Sequence, residues 1–570
     1  MDPMDEDSRH FRFFNPERLA PELEPVLCGL EDEKIIRRIW ARDWTVWKTE
    51  DREISNRLGW LASPRSAEGE VPALEAFAAS LRGEGLTRAV VLGMGGSSLA
   101  PEVFARLFAT GDGALELEVL DTTEPGTVAS AAGRLDIDKT LFLVSSKSGT
   151  TAELIALFSY FYDRARRELG EDRAGGRFVA VTDPGTPLEA LAGSLRFRGT
   201  FPGRPDIGGR FSALSVFGLL PAALKGIDLR RLLRSSRAVA DACRVETPDG
   251  NPGARLGAIL GTAAAKGLDK LTFFVPPRLR PLAGWFEQLI AESTGKDGQG
   301  IVPVIEDVPG SPQSYGKDRL FVELGLAGEP GPGGGVRALI EAGAPLVRLT
   351  LDDPYSLAGH FFLWEFATAV AAHILKIDPF DQPDVESTKK KTREILAGAG
   401  RAGEAAPEGR ALIAEGLRII GSGPREGPAE ALARFSGAFR EGDYVAVLAF
   451  LPPREGVEAL LAVLTSLIRR KHRLPVTLGF GPRYLHSTGQ LHKGDGNKGL
   501  FLMLTEADMP EVPIPVIPGI SRPAATFADL FAAQGRGDGL ALAEKGRRVL
   551  RVEIEGPVEA GLRELTSLLG

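Results

Sequence analysis

The chain has 570 residues, 43% hydrophobic and 25% charged, and its 68 Lys+Arg against 76 Asp+Glu leave a net charge of −8. That length suits two or three domains rather than one core. The acidic balance argues against nucleic acid as the main partner, yet a local basic site for a small anion remains compatible with it. No apolar run approaches the ~20 residues of a membrane span, the acidic start MDPMDEDSRH has no apolar leader region, and Cys28 and Cys243 form neither a disulfide framework nor a metal pattern. A reducing cytoplasm without a membrane partner is the expectation.

In chain order, residues 30–62 read as mostly helical, with Trp40, Trp44, Trp47 and Trp60 available for packing. From about residue 75, short apolar runs alternate with helical periodicity. The strands expected are AVVLGMG (89–95), LELEVLD (115–121), LFLVSS (141–146) and RFVAVTD (177–183). This rhythm predicts a parallel sheet covered by helices on both faces. A second unit starts near Asn251, with strands at 271–277, 300–306, 318–324 and 345–351, a loop at 329–335 and a long apolar helix over about 356–375. Residues 397–428 read as a surface connection. A third unit has strands at 444–451, 476–481, 499–504 and 548–556. The organisation is therefore an N-terminal helical segment (1–74), two α/β domains (75–245 and 246–400) and a C-terminal α/β segment (401–570).

Two loops carry the first chemical signal. GMGGSS (Gly93 to Ser98) and SSKSGTT (Ser145 to Thr151) each end a strand and open a helix. Glycines such as Gly96 let the backbone approach an anion, and free N–H groups at a helix start favour negative charge. The second loop adds the hydroxyls of Ser146, Ser148, Thr150 and Thr151 and the amine of Lys147. A dinucleotide fold is the competing reading, with Asp121 as its ribose acid, but Ser98 stands where the third glycine of G-x-G-x-x-G belongs. A helix cap explains one or two hydroxyls, not four and a lysine. Together the loops favour one monophosphate.

These loops resemble the sugar-phosphate half of SIS (sugar isomerase) domains. GGRFSALS (208–215), QLIAESTGKDGQGIVPV (288–304) and IDPFDQPDVESTKK (377–390) narrow the resemblance to the phosphoglucose isomerase family, and YLHSTGQLHKG (484–494) resembles the isomerase half of transaldolase–phosphoglucose isomerase fusions. The resemblance implies two doubly wound SIS domains with a C-terminal extension, no cofactor, no metal, and a homodimer with a shared active site.

It also implies roles. Glu292 is the base that moves a proton between C2 and C1, Gln288 one turn earlier on the same helical face binds substrate, and Gly295 ends their helix. Arg210 stabilises the enediolate. Ser97, Ser146, Lys147, Ser148 and Thr151 with Gly96 hold the phosphate. Lys389 opens the sugar ring, with Lys390 as the fallback within the run 389–391, and Gln382 shares its helical face. His486 is the ring-opening histidine, with His492 as runner-up, although the family's histidine run lies between the glutamate and lysine segments and here follows both. His360 and His373 lie in the apolar helix, where packing explains them. The expected activity is isomerisation of glucose 6-phosphate and fructose 6-phosphate. A dual enzyme that also takes mannose 6-phosphate and a non-catalytic sugar-phosphate sensor are the alternatives.

Overall fold

The computed structural model describes residues 11–306, 308–331, 333–399, 412–414, 416–420 and 427–570. The acidic decapeptide and most of the connection expected at 397–428 lie outside the described residues.

The chain opens with β1 (Phe11–Phe14) and short helices. Three of the four tryptophans of this segment reach aromatic or backbone partners in the second unit or beside it. Trp40 stacks on Phe362 and Phe366, and Trp47 donates its indole N–H to the Ala369 carbonyl at 2.8 Å. Trp60 lies against both Phe362 and Phe211.

The first sheet contains β2 (Arg88–Gly93), β3 (Glu116–Leu120), β4 (Thr140–Ser145), β5 (Phe178–Thr182) and β6 (Gly199–Pro202), all parallel, in the order β3-β2-β4-β5-β6. Every residue of β4 and β5 is buried, which is why both read as unbroken apolar runs rather than alternating ones. Helices α1 (Leu99–Leu107) and α2 (Ala152–Leu169) follow β2 and β4. Because β2 leads to one side of the sheet and β4 to the other, a crevice opens between their carboxyl ends.

The second sheet is built from β7 (Lys270–Phe274), β8 (Val302–Glu306), β9 (Arg319–Leu326) and β10 (Leu346–Leu351), in the order β1-β10-β9-β7-β8. Only β1 runs antiparallel in it, pairing Phe11 to Phe14 with Leu349 to Leu346. Four residues of the N-terminal segment therefore join the second unit's sheet, and its remaining elements, from Pro16–Arg18 to Val71–Ser80, are helical. Helix α3 (Arg280–Thr294) follows β7, and α4 (Leu357–Ile374) and α5 (Val385–Ala399) follow β10. Contrary to the composition reading, the stretch 354–374 is long and apolar enough to cross a membrane, but it is core: nearly all of it is buried inside the chain.

The third sheet has the order β11-β12-β16-β15-β13-β14, from β11 (Leu412–Ala414), β12 (Leu417–Ile420), β13 (Tyr444–Phe450), β14 (Val476–Phe480), β15 (Gly499–Glu506) and β16 (Arg548–Ile554). Its four long strands are parallel, and the two short antiparallel ones at the edge are those that apolar runs did not reveal. Helix α6 (Phe527–Glu544) precedes β16. This unit does not stand apart. Val512, Ile514, Ile517, Phe527 and Leu530 join a buried cluster with Phe158 and Phe161 of α2, while Tyr484, Leu485 and Leu491 pack with Ala291, Val302 and Val304 of the second unit.

Candidate active site

The two loops stand side by side because β2 and β4 are neighbours, with Gly93 opposite Ser145. In the first loop Gly95 has φ +55, and a side chain there would meet Gln288 Nε2 at 2.8 Å and the His486 carbonyl at 3.0 Å. A Cβ on Gly96 would lie 2.0 Å from the Gly209 carbonyl oxygen. Glycine is thus what lets this loop touch three other segments at once. Ser97 is buried beside it.

In the second loop Ser146 Oγ lies 3.1 Å from Thr151 Oγ1 and accepts the Gly149 N–H, and Ser148 Oγ lies 3.1 Å from Thr150 Oγ1. Thr151 stands at the N-cap of α2, yet its hydroxyl caps no helix N–H. The hydroxyls and amides of this loop can therefore serve an anion. Lys147 is placed differently from the expectation. Its amine pairs with Asp183 and donates to the Arg204 carbonyl at 2.9 Å, so it braces the ends of neighbouring strands. Asp121, the acid of the dinucleotide reading, pairs with Arg483 at 3.4 Å, which also holds Glu102.

At the last turn of α3, Glu292 and Gln288 project from one face, and Gly295 ends the helix as expected. Glu292 Oε1 lies 3.2 Å from Arg210 Nη1, while Glu292 Oε2 and Gln288 Oε1 are buried with no hydrogen-bond partner among the described residues. Arg210 is locked on its other edges. It donates to Ser293 Oγ at 2.8 Å, to the Asp381 carbonyl at 3.0 Å and to the Pro379 carbonyl. Two free acceptors and a fixed cation in one buried space suit the hydroxyls of a polar ligand and a developing negative charge.

His486 comes from the third unit, at the end of a short 3-10 helix (Arg483–His486), and reaches the site within the same chain. Its carbonyl accepts Gln288 Nε2 at 2.7 Å, and its ring Nε2 lies 2.9 Å from Glu153 Oε1. Burial works against charge on both groups. The attraction outweighs it: the imidazole is raised above its ordinary value and Glu153 is held below the usual carboxylate range. Sequence reasoning missed Glu153, although it stands two residues after Thr151 in the first turn of α2. His492 is not an equivalent. It is buried among the rings of Tyr444, Tyr484 and Phe501, and burial pushes it down to about 3.

Lys389 lies on α5, half-exposed, with its amine 2.7 Å from Glu386, and its charge is felt at both Glu153 and His486. Lys390 and Lys391 face Glu394 and, for Lys391, Glu544. Gln382 does not share a helical face with Lys389. It precedes the helix, which starts at Val385, because Pro383 disfavours helical backbone at the residue before it. It is exposed next to Asp381, whose carbonyl also binds Lys296 Nζ at 2.6 Å. Lys296, another residue that sequence reasoning passed over, is pushed down to about 8 by burial and by the Arg210 charge. The packed roles of the two core histidines are visible: His360 is buried, and His373 Nδ1 contacts the Val46 carbonyl at 2.6 Å.

The family model described as phosphoglucose isomerase matches residues 78–316. The glucose-6-phosphate isomerase of Geobacter sp. (strain M21) is 30% identical over 399 residues, 59% of this chain and 74% of its own. That of Rubrobacter xylanophilus is 29% identical over 425 residues, 65% of this chain and 95% of its own. A solved structure of a hypothetical protein from Thermus thermophilus is 28% identical with a TM-score of 0.57, covering 68% of this chain and all of that one. A glucose-6-phosphate isomerase structure from Chlamydia trachomatis shares the fold at 19% identity, with a TM-score of 0.57 over 67% of this chain and 87% of that one.

Proposed function

The chain belongs to the phosphoglucose isomerase family, and from that premise we propose that it is a glucose-6-phosphate isomerase working through Glu292, Arg210, His486 and Lys389. The phosphate sits on the two loops of the first sheet, held by Gly96, Ser97, Ser146, Ser148 and Thr151. His486, whose imidazole Glu153 raises above its ordinary value, gives a proton to the ring oxygen as the ring opens, and Lys389 takes the proton of the anomeric hydroxyl. Glu292 then takes the C2 proton and returns it to C1, a role typically worth ~10²–10⁴-fold. Arg210 faces the negative charge that builds on the enediolate oxygens meanwhile. None of these steps calls for a metal or an organic cofactor.

The observation that carries the reading is the buried Glu292–Arg210 pair, with one carboxylate oxygen tied and the other unpartnered among the described residues. A pure sugar-phosphate sensor has no use for that pair. The test is direct. Purified protein is given glucose 6-phosphate and, separately, mannose 6-phosphate, and fructose 6-phosphate is measured. Conversion of the first is expected. No conversion sinks the reading, and conversion of both identifies a dual isomerase. The reading also carries a cytoplasmic homodimer, which sedimentation and cell fractionation check; His486 lies against Glu153 and Gln288 of its own chain.

A further inference from the structure

Helix α6 carries the sequence QGRGDG at 534–539, which belongs to none of the motifs that mark the family resemblance. Helix interiors disfavour glycine, so its recurrence here needs a reason, and Gly537 shows one. A Cβ there would lie 2.7 Å from Thr392 Oγ1 and 3.0 Å from the Thr392 backbone nitrogen, so glycine lets α6 lie directly against α5. Two polar residues one turn apart then face inward.

The first is Gln534, 4% exposed. The Thr123 hydroxyl donates to its Oε1 at 2.8 Å, which turns its NH₂ toward Glu153 Oε1 at 2.7 Å. The same Glu153 oxygen contacts His486 Nε2. The second is Asp538, fully buried. It accepts from Tyr484 Oη at 2.7 Å, Thr388 Oγ1 at 3.0 Å and Lys493 Nζ at 2.6 Å. Tyr484 stands two residues before His486, and Thr388 directly precedes Lys389. A buried carboxylate satisfied by three donors fixes those donors in place, since releasing any one leaves charge unpaired in the interior.

We propose that Gln534 and Asp538 are positioning residues for opening of the sugar ring, Gln534 setting His486 through Glu153 and Asp538 setting Lys389 through Thr388. The proposal rests on the isomerase reading. It makes α6 the element that aligns the two ring-opening groups, while Glu292 belongs to the second unit and Arg210 to the first.

The experiment uses the full chain. Exchange between the α and β anomers of glucose 6-phosphate is measured by NMR, alongside turnover and melting temperature. In Gln534→Met, enzyme-driven anomer exchange is expected to fall about 10- to 100-fold, the scale of one hydrogen bond to a charged group, with the protein still folded at assay temperature but melting somewhat lower. Gln534→Glu is expected to lose the exchange at neutral pH and regain part of it at lower pH, where the introduced carboxyl is protonated and donates again. Thr388→Val, which removes one donor to Asp538, is expected to slow the exchange more than it lowers affinity for the acyclic sorbitol 6-phosphate. Anomer exchange at the wild-type rate in Gln534→Met, or no recovery of Gln534→Glu at lower pH, overturns the proposal. Failure of the wild-type protein to isomerise glucose 6-phosphate overturns the isomerase reading instead.

Discussion

Replacing Glu292 with glutamine keeps the shape of the side chain and removes its basicity. The setting of Glu292 makes the consequence calculable. Arg210 loses an ionic partner but keeps Ser293, Asp381 and Pro379 as acceptors, and a glutamine oxygen can still face Nη1. The fold should therefore lose only about 1–3 kcal/mol, the scale of one weakened hydrogen bond to a charged group. The reaction loses its base. A general base is worth ~10²–10⁴-fold, or about 2.7–5.4 kcal/mol of barrier at roughly 1.36 kcal/mol per decade. The assay is exchange of the C2 proton of glucose 6-phosphate with deuterated water, followed by NMR, with sorbitol 6-phosphate affinity measured by calorimetry. Exchange should collapse while affinity stays close to wild type. Near-normal exchange in Glu292→Gln would mean that another group moves the proton, and the assignment of the unpartnered oxygen would be wrong.

Gly96→Ala places a Cβ 2.0 Å from the Gly209 oxygen. Relief must come from backbone movement, at about 1–3 kcal/mol, so a lower melting temperature and a raised KM should appear together; an unchanged KM counts against the loop contact. Ser146→Ala with Thr151→Ala should weaken phosphate-bearing ligands about 10-fold or more, measured by calorimetry, and an equal loss for a neutral sugar would speak against a phosphate role. Glu153→Gln removes the charge that raises His486. A histidine raised on folding stabilises the fold below its unfolded pKa, and that contribution disappears as pH rises through the folded value. Glu153, depressed on folding, contributes above its own unfolded value and loses this as pH falls through the folded one. The melting temperature of wild type should therefore exceed that of Glu153→Gln most between those limits, and the gap should narrow above the His486 value. The activity limb that reports the imidazolium should move to lower pH in the variant. A limb that stays in place would show that His486 does not titrate in catalysis.

Local patterns fared well where local physics decides. Buried parallel strands such as β4 and β5 are continuous apolar runs, and the Gly295 stop puts Glu292 in the last turn of its helix. What escaped notice depends on distant partners. β1 is four residues that become a strand only because β10 offers an edge. Glu153 looks like any acid in a first helical turn until His486, 333 residues later, is set against it. The Lys147 amine reads as free in the sequence because Asp183, which takes it, follows the next strand. The histidine order along the chain differs from that of the family, yet in space His486 lies beside Gln288 and Glu153. The third unit folds back over the first two and brings His486 to Gln288 and Glu153, so linear order proved a poor guide to geometry.

That return path has a consequence for synthesis. The residue that steadies Glu153 lies 381 residues beyond it. At about 5–20 residues per second, roughly 20–75 s separate their emergence from the ribosome. During that interval the phosphate loops, Arg210 and Glu292 have already been made, whereas His486 and Gln534 arrive later. Under the proposed roles, a nascent or truncated chain would thus carry a phosphate seat and a proton shuttle without the means to open a ring. On that reading, the capacity to act on a cyclic sugar would be acquired only once the third unit had been synthesised and packed against the other two.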